Sequence, residues 1–179
     1  QMVLFNERNK AEGLPHLKMR IGISTGTVFV GNIGSDDRLN YTAVGDTVNL
    51  ASRLEGTNKT YKTWILISDK TQVGIRGQIL TRPVDKVAVK GKANAILIHE
   101  VLAKKEKETP ELRKIIDLTM LGFEHYLAQR FQQAIDCFTQ ILGFNKGDHL
   151  ALFYIERCKG FLVFPPSSDW DGTYVSTSK

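Results

Sequence analysis

Residues 41–55 read YTAVGDTVNLASRLE. The first residues close a short β-type run from Asn40 to Val44. From Asp46 to Glu55 the apolar positions Val48, Leu50, Ala51 and Leu54 fall at helical spacing, with Gly56 past the end. Asp46 stands where an N-terminal cap belongs, a better fit than a metal ligand. Asn49 and Arg53 are four apart, so an amide and a guanidinium project from one face of the expected helix. A guanidinium suits phosphate oxygens, and its charge helps most where negative charge grows during phosphoryl chemistry. By spacing alone the pair fits a solvated helix equally well.

Upstream, Lys18 to Ile33 is β-branched and Gly-rich, with Ile21, Ile23, Thr27, Phe29 and Ile33 on one alternating face. Gly22, Gly26 and Gly31 interrupt it and predict bulges or close approach by another backbone. Residues 34–37, GSDD, are turn chemistry, so this strand and Asn40 to Val44 form a hairpin. Residues 1–12 read as a helix end stopped by Gly13, Leu14 and Pro15. Downstream, Ile65 to Ser68 is a short buried-type strand, and Asp69 to Ile75 a brief helix. Two strands, Leu80 to Val89 and Ala95 to Val101, flank the turn 90–94, KGKAN. Alternation of helices with antiparallel pairs is an α+β pattern.

Lys104 to Pro110 is charged, lacks large apolar residues and ends in Pro, which places a domain boundary there, with a linker at 104–110. Three helices follow: Glu111 to Ala128, Phe131 to Phe144 and Asp148 to Phe161. The end of the chain, with Pro165, Pro166 and Trp170, reads as an extended tail from 164. Trp170 supplies apolar surface for docking against the chain or its partner.

The composition bounds the function. Of 179 residues, 42% are apolar and 24% charged, which excludes wholesale disorder and a disulfide scaffold. The net charge of +5 is spread among acidic residues with no dense basic run, so nucleic-acid binding is not expected, while a small phosphate-bearing ligand is compatible. Cys137 and Cys158 lie in helical text without a metal or redox pairing pattern and read as buried small hydrophobes in a reducing compartment. His16, His99, His125 and His149 show no metal-ligand spacing, and no nucleophile setting or phosphate-binding glycine motif is present. No apolar run reaches membrane-spanning length.

The runs 20–34, RIGISTGTVFVGNIG, and 41–55, continued by ILIS at 65–68 and VKGK at 89–92, resemble the class III adenylate and guanylate cyclase catalytic domain over residues 1–103. The resemblance implies the C-terminal part of a ferredoxin-like cyclase domain with an antiparallel hairpin arm. In that family two domains pair head to tail, and each site takes metal-binding aspartates from one and an Asn-Arg pair from the other. Carried over, Asn49 positions the ribose and Arg53 stabilises charge near the α-phosphate. Thr42 occupies the purine-contacting position, where Asp or Thr accompanies adenine, so ATP is the expected nucleotide. Lys90 or Lys92 brings a lysine to the terminal phosphates.

The family's two divalent ions, Mg or Mn, are held by aspartates expected upstream of Gln1. Asp36 and Asp37 in a turn, and Asp69 in another element, do not replace them. The fragment alone is therefore expected to be inactive, and the complete protein to be a cytoplasmic homodimer, membrane-anchored if upstream sequence supplies an anchor.

Within the helical segment 111–163, Leu121 and Gly122 through Phe131, Ala134, Phe138 and Leu142 resemble one tetratricopeptide repeat, with His125 and Lys146 departing from its usual Tyr and Pro. A single repeat buries too little to stand alone, and a plain helical hairpin fits as well. Such a tail could carry a protein partner. The rival to an enzyme is a non-catalytic dimerisation or scaffold protein with a degenerate cyclase half, against which the presence of both Asn49 and Arg53 speaks.

Overall fold

The computed structural model arranges the β-type stretches in two sheets, one of five strands and one of two. It describes residues 2–35, 38–87 and 95–174. The elements are α1 (Met2–Ala11), β1 (Ile21–Ile23), β2 (Phe29–Ser35), β3 (Arg38–Val44), α2 (Asp46–Tyr61), β4 (Ile65–Ser68) and α3 (Asp69–Ile75). Then come β5 (Ile79–Val87), β6 (Ile96–Lys104), a 3-10 turn (Lys105–Lys107), α4 (Pro110–Leu127), α5 (Phe131–Phe144), α6 (His149–Val163) and β7 (Thr173–Tyr174). The main sheet has the order β1-β4-β6-β5-β7, with β1 parallel to β4, β6 antiparallel to β4 and β5, and β7 parallel to β5. The fold is α+β, as the alternation of elements predicts.

The expected continuous strand from Lys18 to Ile33 is broken in two. Residues 24–28 leave the ladder because they lie under the start of α2: a Cβ on Gly26 would sit 2.3 Å from Thr47 Oγ1, and that hydroxyl donates to the Thr27 carbonyl at 3.3 Å. β1 stays in the main sheet, whereas β2 pairs only with β3, in register from Phe29 opposite Val44 to Ser35 opposite Arg38. Of the three glycines expected to mark bulges or close backbone approach, Gly22 meets the backbone of α2, Gly26 meets the Thr47 side chain, and a Cβ on Gly31 would meet nothing within 4 Å among the described residues.

α2 does not stop at Gly56. Leu50, Leu54, Asn58 and Tyr61 form a buried stripe that carries the helix to Tyr61, and Lys62 closes it in the left-handed conformation at φ 53°. The Asn58 amide donates to the carbonyls of Leu54 (2.9 Å) and Ile21 (3.0 Å), tying the last turns to β1. This burial outweighs the roughly 1 kcal/mol that a helical glycine costs. At the other end Gly45, at φ 148°, is the N-cap and Asp46 is the first helical residue, which corrects the assignment of Asp46 as the cap. Its carboxylate still lies in the first turn, where it complements the helix dipole.

Thr109 caps α4, accepting from the Leu112 amide at 3.1 Å, and Pro110 occupies the first turn, where its missing N–H costs nothing. Asp148 caps α6 by accepting from the Ala151 amide at 2.9 Å. One hydrophobic cluster runs from Leu54, Leu66, Val84 and Ile98 to Tyr126, Phe138 and Tyr154, so the helices and the sheet share a core. Trp170 is half-buried against the chain, with ring centroids 5.0 Å from Tyr126 and 5.3 Å from Phe161. Within the tail, Thr173 and Tyr174 add β7 beside Lys86 and Val87. Cys137 and Cys158 are buried and unpaired.

Candidate active-site helix and hairpin

The buried stripe of α2 fixes what its other face presents. Asn49 and Arg53 each precede a buried leucine, Leu50 and Leu54, and are therefore rotated about 100° from the core, one turn apart on the same flank. Both are exposed. Among the described residues no carboxylate pairs with Arg53, whereas nearby Arg20 is held by Glu55 at 2.9 Å. The backbone carbonyl of Arg53 accepts from Thr57 Oγ1 at 2.7 Å, so the helix is locally closed while the guanidinium faces solvent.

β3 delivers the chain into α2 through Gly45, and Thr42 lies on that strand opposite Gly31 and is exposed. Asn49 and Arg53 thus share one helix face, and Thr42 stands on the strand leading to it. Lys90 and Lys92 lie outside the described residues, as do Asp36 and Asp37. Asp69 is engaged elsewhere: its Oδ1 lies 3.0 Å from His99 Nε2.

Two features escape sequence reading. Beneath the first turn of α2 lies a cavity of about 350 Å³ lined by Ser24, Thr25, Thr27, Thr47, Ser68 and Lys70. Its hydroxyls come from positions more than 40 residues apart, so no local motif signals it; Thr25 and Thr71 hydroxyls meet across 46 residues at 2.9 Å. The hairpin β2-β3 also exposes large apolar side chains, with Phe29 at 78%, Tyr41 at 77% and Leu39 at 60%. Alternation does signal these side chains, but only the separation of the hairpin from the main sheet leaves them uncovered.

Among the described residues no group of three His, Cys, Asp or Glu side chains could hold a metal ion, and no helix is long and apolar enough to cross a membrane.

The chain is 46% identical over 98 residues to "Adenylate cyclase 1" of Rhizobium meliloti, covering 55% of this chain and 15% of that protein. It is 36% identical over 142 residues to "Adenylate cyclase, terminal-differentiation specific" of Dictyostelium discoideum, covering 77% of this chain and 7% of that protein. The chain thus spans a small part of both relatives. Among solved structures, the adenylyl cyclase CyaB from P. aeruginosa superposes with a TM-score of 0.50 at 34% identity, over 60% of this chain and 55% of that one. Residues 1–103 match the family described as "Adenylate and Guanylate cyclase catalytic domain", and the chain belongs to that family.

Proposed function

We propose that the chain is part of an adenylate cyclase and contributes the Asn-Arg side of a site shared between two subunits. The observation that carries this is the exposure of Asn49 and Arg53 on one flank of α2, turned away from their own core and without a carboxylate partner for Arg53 among the described residues. In the reaction the ribose 3′-oxygen bonds to the α-phosphorus and loses its proton, the bond from that phosphorus to the bridging oxygen breaks, and pyrophosphate leaves. Asn49 orients the ribose. Arg53 faces the α-phosphate oxygens, where negative charge develops.

Thr42 contacts the adenine, which favours ATP, and Lys90 or Lys92 meets the terminal phosphates. Similarity to proteins named as adenylate cyclases supports this choice. Pairing with a second copy is supported by the exposed apolar hairpin, which a head-to-tail partner would cover. Two divalent ions, which neutralise phosphate charge in two-metal chemistry, are assigned to carboxylates that these 179 residues do not supply, and the chain alone is accordingly assigned no turnover of its own. The helices α4 to α6 serve as a repeat-like tail, able to carry a protein partner. Tight seating of α4 on α5 supports that: a Cβ on Gly122 would lie 3.1 Å from the Phe138 ring.

The test is Arg53→Ala in the protein that carries the complete catalytic domain. Turnover should fall about 100-fold to 1,000-fold while the protein stays folded. Undiminished turnover would refute the assignment and favour a non-catalytic dimerisation role.

A further inference from the structure

The helical tail closes groups that the sheet leaves open. β5 carries a bulge, pairing Pro83 with His99 and Asp85 with Ile98 and leaving Val84 out of the ladder. Val84 and Asp85 are both fully buried as a result. The hydroxyl of Tyr154 on α6 donates to the Val84 carbonyl at 2.6 Å, satisfying an acceptor that would otherwise be buried without a strand partner.

The Asp85 carboxylate joins α6 to α2. Its Oδ2 accepts from the Tyr61 hydroxyl at 2.5 Å and from Arg157 Nη1 at 2.7 Å, and its Oδ1 accepts from the Lys86 amide at 2.8 Å. Arg157 also donates to the Tyr126 hydroxyl at 3.2 Å. Its guanidinium lies 4.2 Å from the Phe153 ring centroid, and that ring meets Tyr61 edge-on at 5.0 Å. Burial, and then the charge of Asp85, push the Tyr61 phenol far above its ordinary range, so it remains a donor. Tyr61 ends the helix that bears Asn49 and Arg53. Arg53 is eight residues away, about 12 Å along the axis.

We propose that α6 is a positioning element for the reacting helix: Arg157 acts through Asp85 and Tyr61 to fix the C-terminal end of α2, and so the direction in which Asn49 and Arg53 meet the nucleotide. This rests on the roles given to those two residues above. Undocking α6 would strand Asp85 in the core, where an unpaired charge costs several kcal/mol, so α6 stays seated and transmits its own placement. A helix that tilts at one end displaces the other, and a misplacement of about 1 Å costs on the order of 100-fold in rate. The effect falls on turnover rather than on nucleotide binding.

The experiment compares Tyr61→Phe, Arg157→Met, Arg157→Lys and Arg53→Ala in the protein with its complete catalytic domain. Steady-state kinetics with ATP, thermal melting, and amide exchange of residues 46–56 are recorded for each. Tyr61→Phe keeps the Asp85–Arg157 pair, so it should stay folded while kcat drops about tenfold, the α2 amides exchange faster, and KM stays within about twofold. Arg157→Lys should recover part of the turnover that Arg157→Met loses. Wild-type kcat in folded Tyr61→Phe, or losses that merely track the unfolded fraction, would overturn the coupling. Full activity in Arg53→Ala would remove the assignment of the helix and the coupling with it. Loss there, with Tyr61→Phe unaffected, would remove the coupling alone.

Discussion

Gly22 on β1 lies so close to Ala51 on α2 that an added Cβ would sit 2.1 Å from the Ala51 carbonyl oxygen and 2.4 Å from the Glu55 amide nitrogen. Both neighbours are backbone of a helix anchored by Leu50 and Leu54, so neither can rotate aside. Gly22→Ala should therefore destabilise the chain by about 3 kcal/mol or more, by overpacking. Urea denaturation would measure it, and a loss below 1 kcal/mol would show that α2 can lift from β1.

Arg82 binds two carboxylates in the core, Glu100 at 2.8 Å and Asp148 at 2.7 Å, with its side chain only 7% exposed. Arg82→Met would leave the two acids facing each other without a cation, an expected loss of about 3–5 kcal/mol. Because Asp148 also caps α6, the same variant should loosen the first turn of that helix, visible as faster amide exchange at 149–152 relative to α5.

His99 sets a pH dependence of known sign. Burial is the largest influence and lowers its pKa below 6.5, Asp69 pulls upward through its hydrogen bond and charge, and Arg76 pushes down. On acidification the unfolded chain takes up this proton first, so stability is intact above about pH 6.5 and declines as the pH falls toward the folded value. Melting temperatures of His99→Gln and the parent chain, compared from pH 7.5 to pH 5, should show a shallower decline in the variant.

The two thiols should be silent in the native state. Burial pushes Cys158 up to about 12, against the opposing pull of Arg157, and raises Cys137 together with the charge of Asp136. Thiolate is the reacting form, so a disulfide reagent at pH 8 should label neither residue until denaturant is added, and then both. Rapid native labelling of Cys158 would mean that α6 opens readily.

Local pattern was legible where a single period runs uninterrupted. α5 spans Phe131–Phe144 as its apolar spacing predicts, and β4 is Ile65–Ser68 as its short apolar run predicts. The reading failed where a distant contact overrides a local signal. Gly56 looks like a helix stop, yet Asn58 and Tyr61 continue the helix because their partners lie on β1 and β5. Lys18 to Ile33 looks like one strand, yet α2 presses on its middle.

By itself the sequence determined the α+β class, the helix with its exposed amide and guanidinium, and the family, because these follow from spacings within a dozen residues and from a dense motif. Only the tertiary structure decided that β5 bulges at Val84 and that the helices beyond residue 103 are bolted to the sheet. Arg82 meets Asp148 across 66 residues and Asp85 meets Arg157 across 72. Such pairs form because a buried charge must find its counter-charge wherever the packed chain brings one, and no local period encodes that distance.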